Sequence, residues 1–213
     1  MGERLFLYKV TSDAGGAPCA QDGILTLAIC KPKIRSSAVE GDWLFGIGGV
    51  GLDNRLIYIA KVTRKVVNGD YYRLPEYARR RDCIYSWNPQ GTSLSVRRYG
   101  ARYHTDGMLA ERDVGQPPNY RNANVLVSEG AFRYLGQSGE ALDKNRYQHL
   151  VALLALMKQG HRVNHSQKTA NELRQLQANI FKKFQKGFTG MPSHPIPDTN
   201  GVCSCGERRS LYV

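Results

Sequence analysis

The pattern of apolar and polar positions divides the chain into a strand-rich first part and a helical second part. Short runs of apolar, β-branched and aromatic residues, bounded by turn-forming residues, occupy 4–10, 24–30, 43–48 and 55–63. Each run is typical of a β-strand, and the one at 55–63 is the clearest because polar residues are interleaved near its ends. A further apolar run at 124–128 predicts a late strand.

The second part of the chain has a helical pattern. Residues 147–157 have the composition of a helix and end before Gly160, a residue suited to the left-handed position that follows a helix. Ser166 is a favourable N-cap for a second helix that ends near Gly187. The apolar positions of this helix recur every three or four residues, at Leu173, Leu176, Ile180 and Phe184. The proline-rich segment 191–197 is not expected to form regular structure.

The chain carries a large excess of positive charge. It contains 30 Lys and Arg residues against 18 Asp and Glu residues, which gives a formal net charge of +12 at pH 7. Such a charge raises the local concentration of phosphates, so nucleic acid or a nucleotide is the expected partner, and an anionic membrane surface is the weaker alternative. No segment approaches the roughly 20 apolar residues that cross a bilayer, and no secretory leader is recognisable, so we expect a cytoplasmic protein.

Two cationic clusters are the candidate contacts for phosphate groups. Their residues are Lys31, Lys33, Arg35, Arg79, Arg80 and Arg81. The first cluster follows the predicted strand 24–30, where ligand-binding loops often lie, although lysine and proline there would also protect a sheet edge against aggregation. The second cluster has tyrosines close by in sequence. Basic residues interleaved with aromatic residues suit single-stranded or unstacked nucleic acid.

Aromatic and acidic residues of the first part could form a pocket for a nucleobase. A base held outside a duplex needs aromatic or apolar faces to stack on and a few hydrogen-bonding groups along its edge. The candidates are Trp43, Tyr58, Tyr71, Tyr72 and Tyr85 for stacking, with Asp13 and Asp42 as acceptors. Each has a simpler alternative, because Trp and Tyr in strands often belong to the core and an Asp after Gly often forms a turn.

Few residues suggest catalysis. Asp13 and Lys31 could act in acid–base chemistry, and Cys30 could act as a nucleophile because the adjacent cation favours a thiolate. A strand cysteine is, however, more often an inert core residue. No catalytic triad, P-loop or dinucleotide-binding loop is recognisable, so the sequence favours a binding module without a cofactor over an enzyme.

The cysteines indicate neither a disulfide framework nor a metal site. There are 5 of them, an odd number, and their spacing is irregular. Cys203 and Cys205, taken with His194, lack two further thiols at a useful spacing. We therefore predict no bound metal.

Several segments, in their order along the chain, resemble a known family. They are 4–8 with Asp13, 26–35, 41–46, 55–58, 125–128 and 160–165. This order resembles the second of the nucleotide modification associated domain families, and the resemblance covers most of residues 4–165. Gly41 and Asp42 before an apolar strand are also similar to the start of the barrel in PUA, ASCH and EVE-type domains, which commonly hold a flipped or modified base. The family is associated with DNA base modification, so the resemblance implies that subject without specifying an activity.

Together these observations predict an α+β fold. We expect a PUA/ASCH/EVE-like β-barrel with inserted short helices at 1–137, a helical extension packed on it at 138–190, and a proline-rich tail at 191–213. The leading hypothesis is a nucleic-acid-binding module, with DNA as the expected partner, that recognises a modified nucleobase. The alternatives are an enzyme that takes part in hypermodification of DNA or of a nucleotide precursor, and a protein-interaction subunit of a modification or defence complex.

Overall fold

The computed structural model describes residues 2–96, 104, 107–158 and 160–195, and these form a sheet-rich mixed α/β structure with a few helices. In chain order the strands are β1 (Leu5–Val10), β2 (Cys19–Gln21), β3 (Ile24–Leu27), β4 (Trp43–Gly48), β5 (Leu56–Lys61), β6 (Arg64–Val66), β7 (Tyr85–Trp87), β8 (Leu94–Val96), β9 (Val125–Glu129), β10 (Phe132–Tyr134), β11 (His161–Arg162) and β12 (Phe188–Thr189). The α-helices are α1 (Pro32–Ser37), α2 (Gly107–Val114), α3 (Gln148–Leu156) and α4 (Gln167–Lys183).

The largest sheet has six strands in the order β11–β1–β4–β5–β10–β12. Strand β1 runs parallel to β4, and β5 runs antiparallel to β4. Side chains along β1 alternate between two cores because successive strand residues point to opposite faces of a sheet. Leu5 and Leu7 pack with residues of α3 and α4, whereas Phe6 and Tyr8 pack toward a second sheet.

The second sheet has four antiparallel strands in the order β2–β3–β9–β6. Its residues Leu25, Leu27 and Leu126 belong to the same core cluster as Phe6 and Tyr8, so one core lies between the two sheets. A second core contains Val125 and Val127 of β9 and is rich in tyrosine. Its buried tyrosines are Tyr71, Tyr72, Tyr77, Tyr85 and Tyr120.

The closed barrel predicted from the sequence is not present in the part of the chain that the structure describes. The two larger sheets pack across a shared core, and the strand order of each sheet has two open ends. The six-stranded sheet ends in β11 and β12, which have only two residues each. Both strands come from the C-terminal part of the chain, so this part extends the sheet as well as covering it. The mixed, sheet-rich fold class is confirmed, and the closed barrel is corrected to open, stacked sheets.

The two C-terminal helices follow their predicted pattern. Helix α4 begins after Ser166, whose hydroxyl oxygen accepts a hydrogen bond from the backbone N of Thr169 at 3.2 Å. Leu173 and Leu176 are buried against the six-stranded sheet, and the helix ends at Lys183, shortly before Gly187. None of the described helices is long and apolar enough to cross a membrane. The predicted domain boundaries at 137 and 190 stay predictions.

The segment between β3 and α1 differs from its prediction. Strand β3 ends at Leu27, three residues before the predicted strand end at Cys30, and α1 begins at Pro32. Proline suits the first turn of a helix, because the N–H that it lacks would have no partner within the helix there. Cys30 and Lys31 therefore belong to a tight strand-to-helix connection and not to a sheet edge.

The described part of the proline-rich tail, 191–195, packs against the fold. The backbone N of Gln137 donates to the carbonyl oxygen of Met191 at 2.8 Å, and Pro192 is buried. Residues 196–213, with Cys203 and Cys205, lie outside the described residues.

Candidate active site

The connection between β3 and α1 places Cys30 at a cavity. Cys30 and Lys31 have positive φ angles of 58° and 45°. Left-handed backbone is uncommon for residues other than glycine, and it persists where surrounding contacts fix it, often at functional sites. The side chain of Cys30 is partly exposed and lines the cavity, whereas Cys19 and Cys83 are buried. Cys30 is thus the accessible cysteine among the described residues.

His104 connects the Cys30 thiol to a buried carboxylate. Nε2 of His104 lies 3.3 Å from Sγ of Cys30, and Nδ1 lies 2.5 Å from Oδ2 of Asp113. The neutral tautomer that pairs with an ionised carboxylate has its proton on Nδ1, because the carboxylate can only accept a hydrogen bond, and this tautomer leaves Nε2 as an acceptor. The side chains of His104 and Asp113 are 0% exposed. The geometry therefore directs the basic nitrogen of the ring at the thiol.

Asp113, in α2, orients more than the imidazole. Its Oδ1 accepts a 2.7 Å hydrogen bond from the backbone N of Cys30, and its Oδ2 accepts a 2.8 Å hydrogen bond from the hydroxyl of Tyr85. Burial raises the pKa of Tyr85, and the Asp113 carboxylate raises it further, so the phenol stays a donor at neutral pH. One carboxylate thus holds both His104 and the backbone of Cys30.

Arg35 joins the loop of Cys30 to the end of α2 from the inside. Its side chain is completely buried, and its N–H groups donate to the carbonyl oxygens of Cys30 (2.7 Å), Asp113 (2.8 Å), Asn122 (2.6 Å) and Asn124 (2.7 Å). A buried guanidinium is tolerated only with such a set of acceptors. The sequence predicts Arg35 as a phosphate contact, but the structure places it in the interior, where it supports the candidate active site.

The cavity beside Cys30 has a volume of about 100 Å³. One wall is formed by residues of the loop that follows β1, including Ser12 and Ala14. Tyr8 and Lys31 also line it, and Arg112 of α2 contributes another cation. The thiol therefore faces a small, cationic space that can admit a reacting group.

Asp13 supports the cavity loop without lining the cavity. Its carboxylate is completely buried, and Oδ1 accepts a 2.6 Å hydrogen bond from the hydroxyl of Tyr134. Oδ2 accepts hydrogen bonds from the backbone N (2.8 Å) and the hydroxyl (2.9 Å) of Ser193. Asp13, predicted as a catalytic candidate and as a base-pocket acceptor, thus fastens the loop of Ser12 and Ala14 to the C-terminal segment.

The arrangement of Cys30, His104 and Asp113 can activate a thiol. Nε2 of His104 can take the thiol proton, and Asp113 can stabilise the imidazolium that forms. The thiolate can then attack an electrophilic carbon in the cavity, and His104 can return the proton to a leaving group. Cys19 is unsuited to this role because burial, followed by the charge of Asp82, raises its pKa to about 12.

The structure divides the predicted phosphate contacts by their exposure. Lys33, Arg79 and Arg81 are exposed, and Lys31 lines the cavity. Arg80 is only 6% exposed, and its guanidinium, like that of Arg35, is directed into the fold. Only the exposed members are free to meet a large anionic partner.

Arg80 and Tyr71 belong to a buried polar network around Asp82. NH2 of Arg80 donates to Oγ1 of Thr26 at 2.9 Å, and Nε donates to the hydroxyl of Tyr71 at 3.2 Å. Asp82 accepts from Thr26 (2.5 Å) and Tyr71 (2.8 Å), with Nε of Arg80 at 3.6 Å from Oδ1. Burial raises the pKa of Asp82, and the charge of Arg80 opposes that rise. The network links the segment after β6 to β3.

The other predicted stacking residues are dispersed over several parts of the fold. Tyr58 is buried between the sheets with its hydroxyl 2.6 Å from that of Tyr8, and Tyr72 donates to the carbonyl oxygen of Ala28 at 3.2 Å. Trp43 is half-buried, and its indole N donates to Glu3 at 3.2 Å. The described residues do not bring the predicted base-pocket set together around one cavity.

Asp42 is held by an ion pair at the start of β4. Its carboxylate accepts from Nε and NH2 of Arg4, at distances down to 2.6 Å, and from the backbone N of Val39 at 2.8 Å. Burial raises the pKa of Asp42, but the hydrogen bonds from Arg4 and Val39 outweigh it, and the pKa lies below its usual value. This predicted pocket acceptor contributes to local structure in the fold.

His104 and Asp113 have no recognisable motif around them in the sequence. They contact Cys30 across 74 and 83 positions of the chain, in a stretch of aromatic and basic residues without a clear period. The sequence signal for this site is limited to residue types. A cysteine lies beside a lysine, and a histidine and an aspartate follow later in the chain. Among the residues that the structure describes, no group of His, Cys, Asp and Glu is arranged to hold a metal ion.

Comparison with known proteins identifies the family of the chain. The sequence profile described as nucleotide modification associated domain 2 matches residues 2–197. No curated protein and no solved structure is significantly similar to the chain. The matched range includes Cys30, His104 and Asp113 as well as the segment around Ser193. The chain therefore belongs to the nucleotide modification associated domain 2 family.

Proposed function

We propose that this chain is a cysteine-dependent enzyme of nucleotide modification that forms or breaks an acyl bond. The observation that carries the proposal is the series of contacts from Cys30 through His104 to Asp113 at the edge of a cavity. Membership of a family associated with nucleotide modification supports the assignment of the reaction to nucleotide modification. The substrate is therefore a nucleotide, a nucleobase or an acyl donor to one of them.

The proposed step uses His104 first as a base and then as an acid, while Asp113 holds the imidazole in place. The Cys30 proton passes to Nε2 of His104 while Sγ attacks the carbonyl carbon of the substrate. The tetrahedral intermediate then expels an amine or alcohol, which leaves with the proton from His104, and a thioester on Cys30 remains. Water, or an amine of a nucleotide, releases the acyl group in a second attack. A hydrogen-bonded imidazole that can return a proton favours acyl transfer, because the leaving group needs that proton.

The first test is the reactivity of Cys30 in the intact protein. With limiting iodoacetamide at pH 6, we expect Cys30 to be alkylated about tenfold faster than 2-mercaptoethanol, because the thiolate is the reactive form and a neighbouring imidazolium favours it. Peptide mapping by mass spectrometry assigns the label to each cysteine, and the buried Cys19 and Cys83 serve as internal controls. A Cys30 that reacts no faster than 2-mercaptoethanol contradicts the proposal.

A second candidate function is contact with nucleic acid through the surface of exposed cations. Lys33, Arg79 and Arg81 have exposed side chains, and the chain carries a net charge of +12. Exposed lysines and arginines neutralise phosphates without reading sequence, so this surface supports affinity and positioning. Such a surface is compatible with the proposed enzyme, because it would bring a polynucleotide substrate to the protein.

Replacing Arg79 and Arg81 together by alanine tests this surface. We expect weaker binding to single-stranded DNA and a plot of log affinity against log salt that is flatter by about 1 to 2, since each lost phosphate contact on a single strand removes about 0.7 from the slope. A variant with alanine at Lys182 and Lys186 removes the same charge from exposed positions around the end of α4 and is the matched control. The slopes are measured by fluorescence anisotropy. Equal slopes for the two variants would mean that net charge alone causes the effect, which contradicts direct phosphate contact by Arg79 and Arg81.

A further inference from the structure

The cations at the cavity differ from those cations of the fold that are paired with a carboxylate. Elsewhere, several positively charged side chains have a carboxylate beside them, whereas Arg133 is held by backbone carbonyl oxygens. The pairs are Arg4–Asp42, Arg35–Asp113, Lys61–Glu3, Arg80–Asp82 and Lys183–Glu140. Lys31 and Arg112 both line the cavity, and no Asp or Glu is among the described residues that line it with them. The cavity therefore presents two cations beside Cys30, with no carboxylate among its described lining residues.

The position of Lys31 is fixed although no carboxylate lines the cavity with it among the described residues. Its Nζ donates to the carbonyl oxygen of Lys9 at 3.2 Å and lies 5.0 Å from the centre of the Tyr8 ring. An ammonium group has three donors, so this single described acceptor leaves capacity for a ligand. Burial lowers the pKa of Lys31, the neighbouring Cys30 opposes this effect, and the nearby charge of Arg112 adds to it. An anion placed between the two side chains would relieve this repulsion.

The size of the cavity limits what can bind there. Its volume is about 100 Å³, whereas pockets that enclose whole small-molecule ligands are typically about 300–1,000 Å³. The cavity can therefore enclose a group of a few atoms. A phosphate or a carboxylate has a suitable size and the complementary charge.

We infer that Lys31 and Arg112 bind an anionic group of the substrate, a phosphate or a carboxylate, beside the thiol of Cys30. The inference rests on the proposed function, because it concerns the substrate of the same thiol. It restricts that substrate to compounds in which the carbon attacked by Cys30 lies a few bonds from a negative charge. Lys31, predicted from the sequence as a phosphate contact and as an acid–base candidate, thereby takes the role of substrate binding.

Two alkylating reagents of nearly equal size measure this preference directly. Iodoacetate is an anion and iodoacetamide is neutral, so the ratio of their rates with Cys30 reports attraction of a negative charge independently of thiol reactivity. We expect the ratio for Cys30 to exceed that for 2-mercaptoethanol by about tenfold, as for a cleft lined by charge of one sign. Slow reaction of Cys30 with both reagents contradicts the proposed function, whereas a ratio equal to that of 2-mercaptoethanol overturns this inference alone.

Arg112→Ala and Arg121→Ala separate a local site from the overall charge. Both arginines are exposed and both substitutions lower the net charge equally, but Arg121 does not line the cavity. We expect Arg112→Ala to reduce the rate ratio several-fold and Arg121→Ala to leave it near the wild-type value. Equal reductions in the two variants would mean that the field of the whole protein attracts iodoacetate, which overturns the inference.

Competition distinguishes the two sources of the anion. Thymidine, thymidine monophosphate and acetate are each added before limited alkylation of Cys30 by iodoacetamide. Protection by the monophosphate but not by thymidine supports a phosphate, and protection by acetate supports a carboxylate. Equal protection by thymidine and its monophosphate, or no protection by any of the three, overturns the inference.

Discussion

Replacing His104 with glutamine is expected to slow the alkylation of Cys30 by iodoacetamide at pH 7 by about 100-fold, the lower end of what a positioned general base contributes. Nε2 of His104 is 3.3 Å from the thiol, and a glutamine amide cannot take up a proton at this pH. The thiol would then have to lose its proton to water. The measurement is the second-order rate of Cys30 modification, followed by peptide mapping.

Asp113→Asn tests the other end of the same series of contacts. This substitution should slow the alkylation of Cys30 by iodoacetamide to a similar extent. The carboxylate accepts from Nδ1 of His104 at 2.5 Å. An asparagine amide would donate to that nitrogen, which moves the imidazole proton to Nε2, facing the thiol. The ring would remain in place with the wrong nitrogen protonated. Circular dichroism melts of both variants establish that the fold is retained.

Tyr85→Phe is the matched control for these two substitutions. It removes the 2.8 Å hydrogen bond that Tyr85 donates to Oδ2 of Asp113, and it leaves His104 and its carboxylate partner present. We expect the Cys30 rate to change by less than about threefold, since the imidazole retains its basic nitrogen. If Tyr85→Phe and His104→Gln slow the alkylation of Cys30 equally, the slower rate comes from disruption of the buried cluster. That result contradicts the catalytic role of His104.

The parts of the fold that sequence reasoning predicts are those determined locally. Helix α4 is predictable because Ser166 is a good N-cap and Leu173 and Leu176 recur at helical spacing. The arrangement of strands is not local. Strand β1 pairs with β4 and with the two-residue β11, so closure into a barrel or stacking of open sheets depends on contacts between distant segments. The resemblance to barrel domains therefore wrongly predicts a closed barrel, even though the resemblance to the nucleotide modification associated domain family is confirmed.

The candidate site shows the same division between local and distant information. Cys30 and Lys31 are adjacent, so their joint role can be proposed from sequence, whereas His104 and Asp113 reach Cys30 only through the tertiary fold. Charge is equally ambiguous in a single sequence. An arginine in a basic segment such as Arg35 is typical of a surface contact, but the side chain of Arg35 is completely buried among carbonyl oxygens. A basic residue reveals its role only when its acceptors are known.

The second large effect is expected from Arg80→Ala, which should lower the free energy of unfolding by about 3–5 kcal/mol, the usual cost of removing one partner of a buried ion pair. Asp82 is completely buried and would lose the only cation that lies within 4 Å among the described residues. The neighbouring Arg79 is exposed, so Arg79→Ala should change stability by less than about 0.5 kcal/mol. Urea denaturation of the two variants compares the adjacent arginines directly.

The pH dependence of Arg80→Ala identifies the buried charge as the cause. Burial raises the pKa of Asp82 in the folded protein, and the charge of Arg80 opposes this rise, so removing Arg80 raises the pKa further. An acid whose pKa is higher in the folded state than in the unfolded state costs stability above that pKa, and the cost disappears as the pH falls and the acid takes up a proton. The stability difference between wild type and Arg80→Ala should therefore narrow between pH 7 and pH 4, and Asp82→Asn added to Arg80→Ala should recover part of the loss at pH 7. Arg80 also donates hydrogen bonds to the carbonyl oxygens of Cys19 (2.9 Å) and Gln21 (3.0 Å). A stability difference that is constant with pH would instead mean that Arg80 stabilises the fold through these hydrogen bonds, with the charge of Asp82 playing no part.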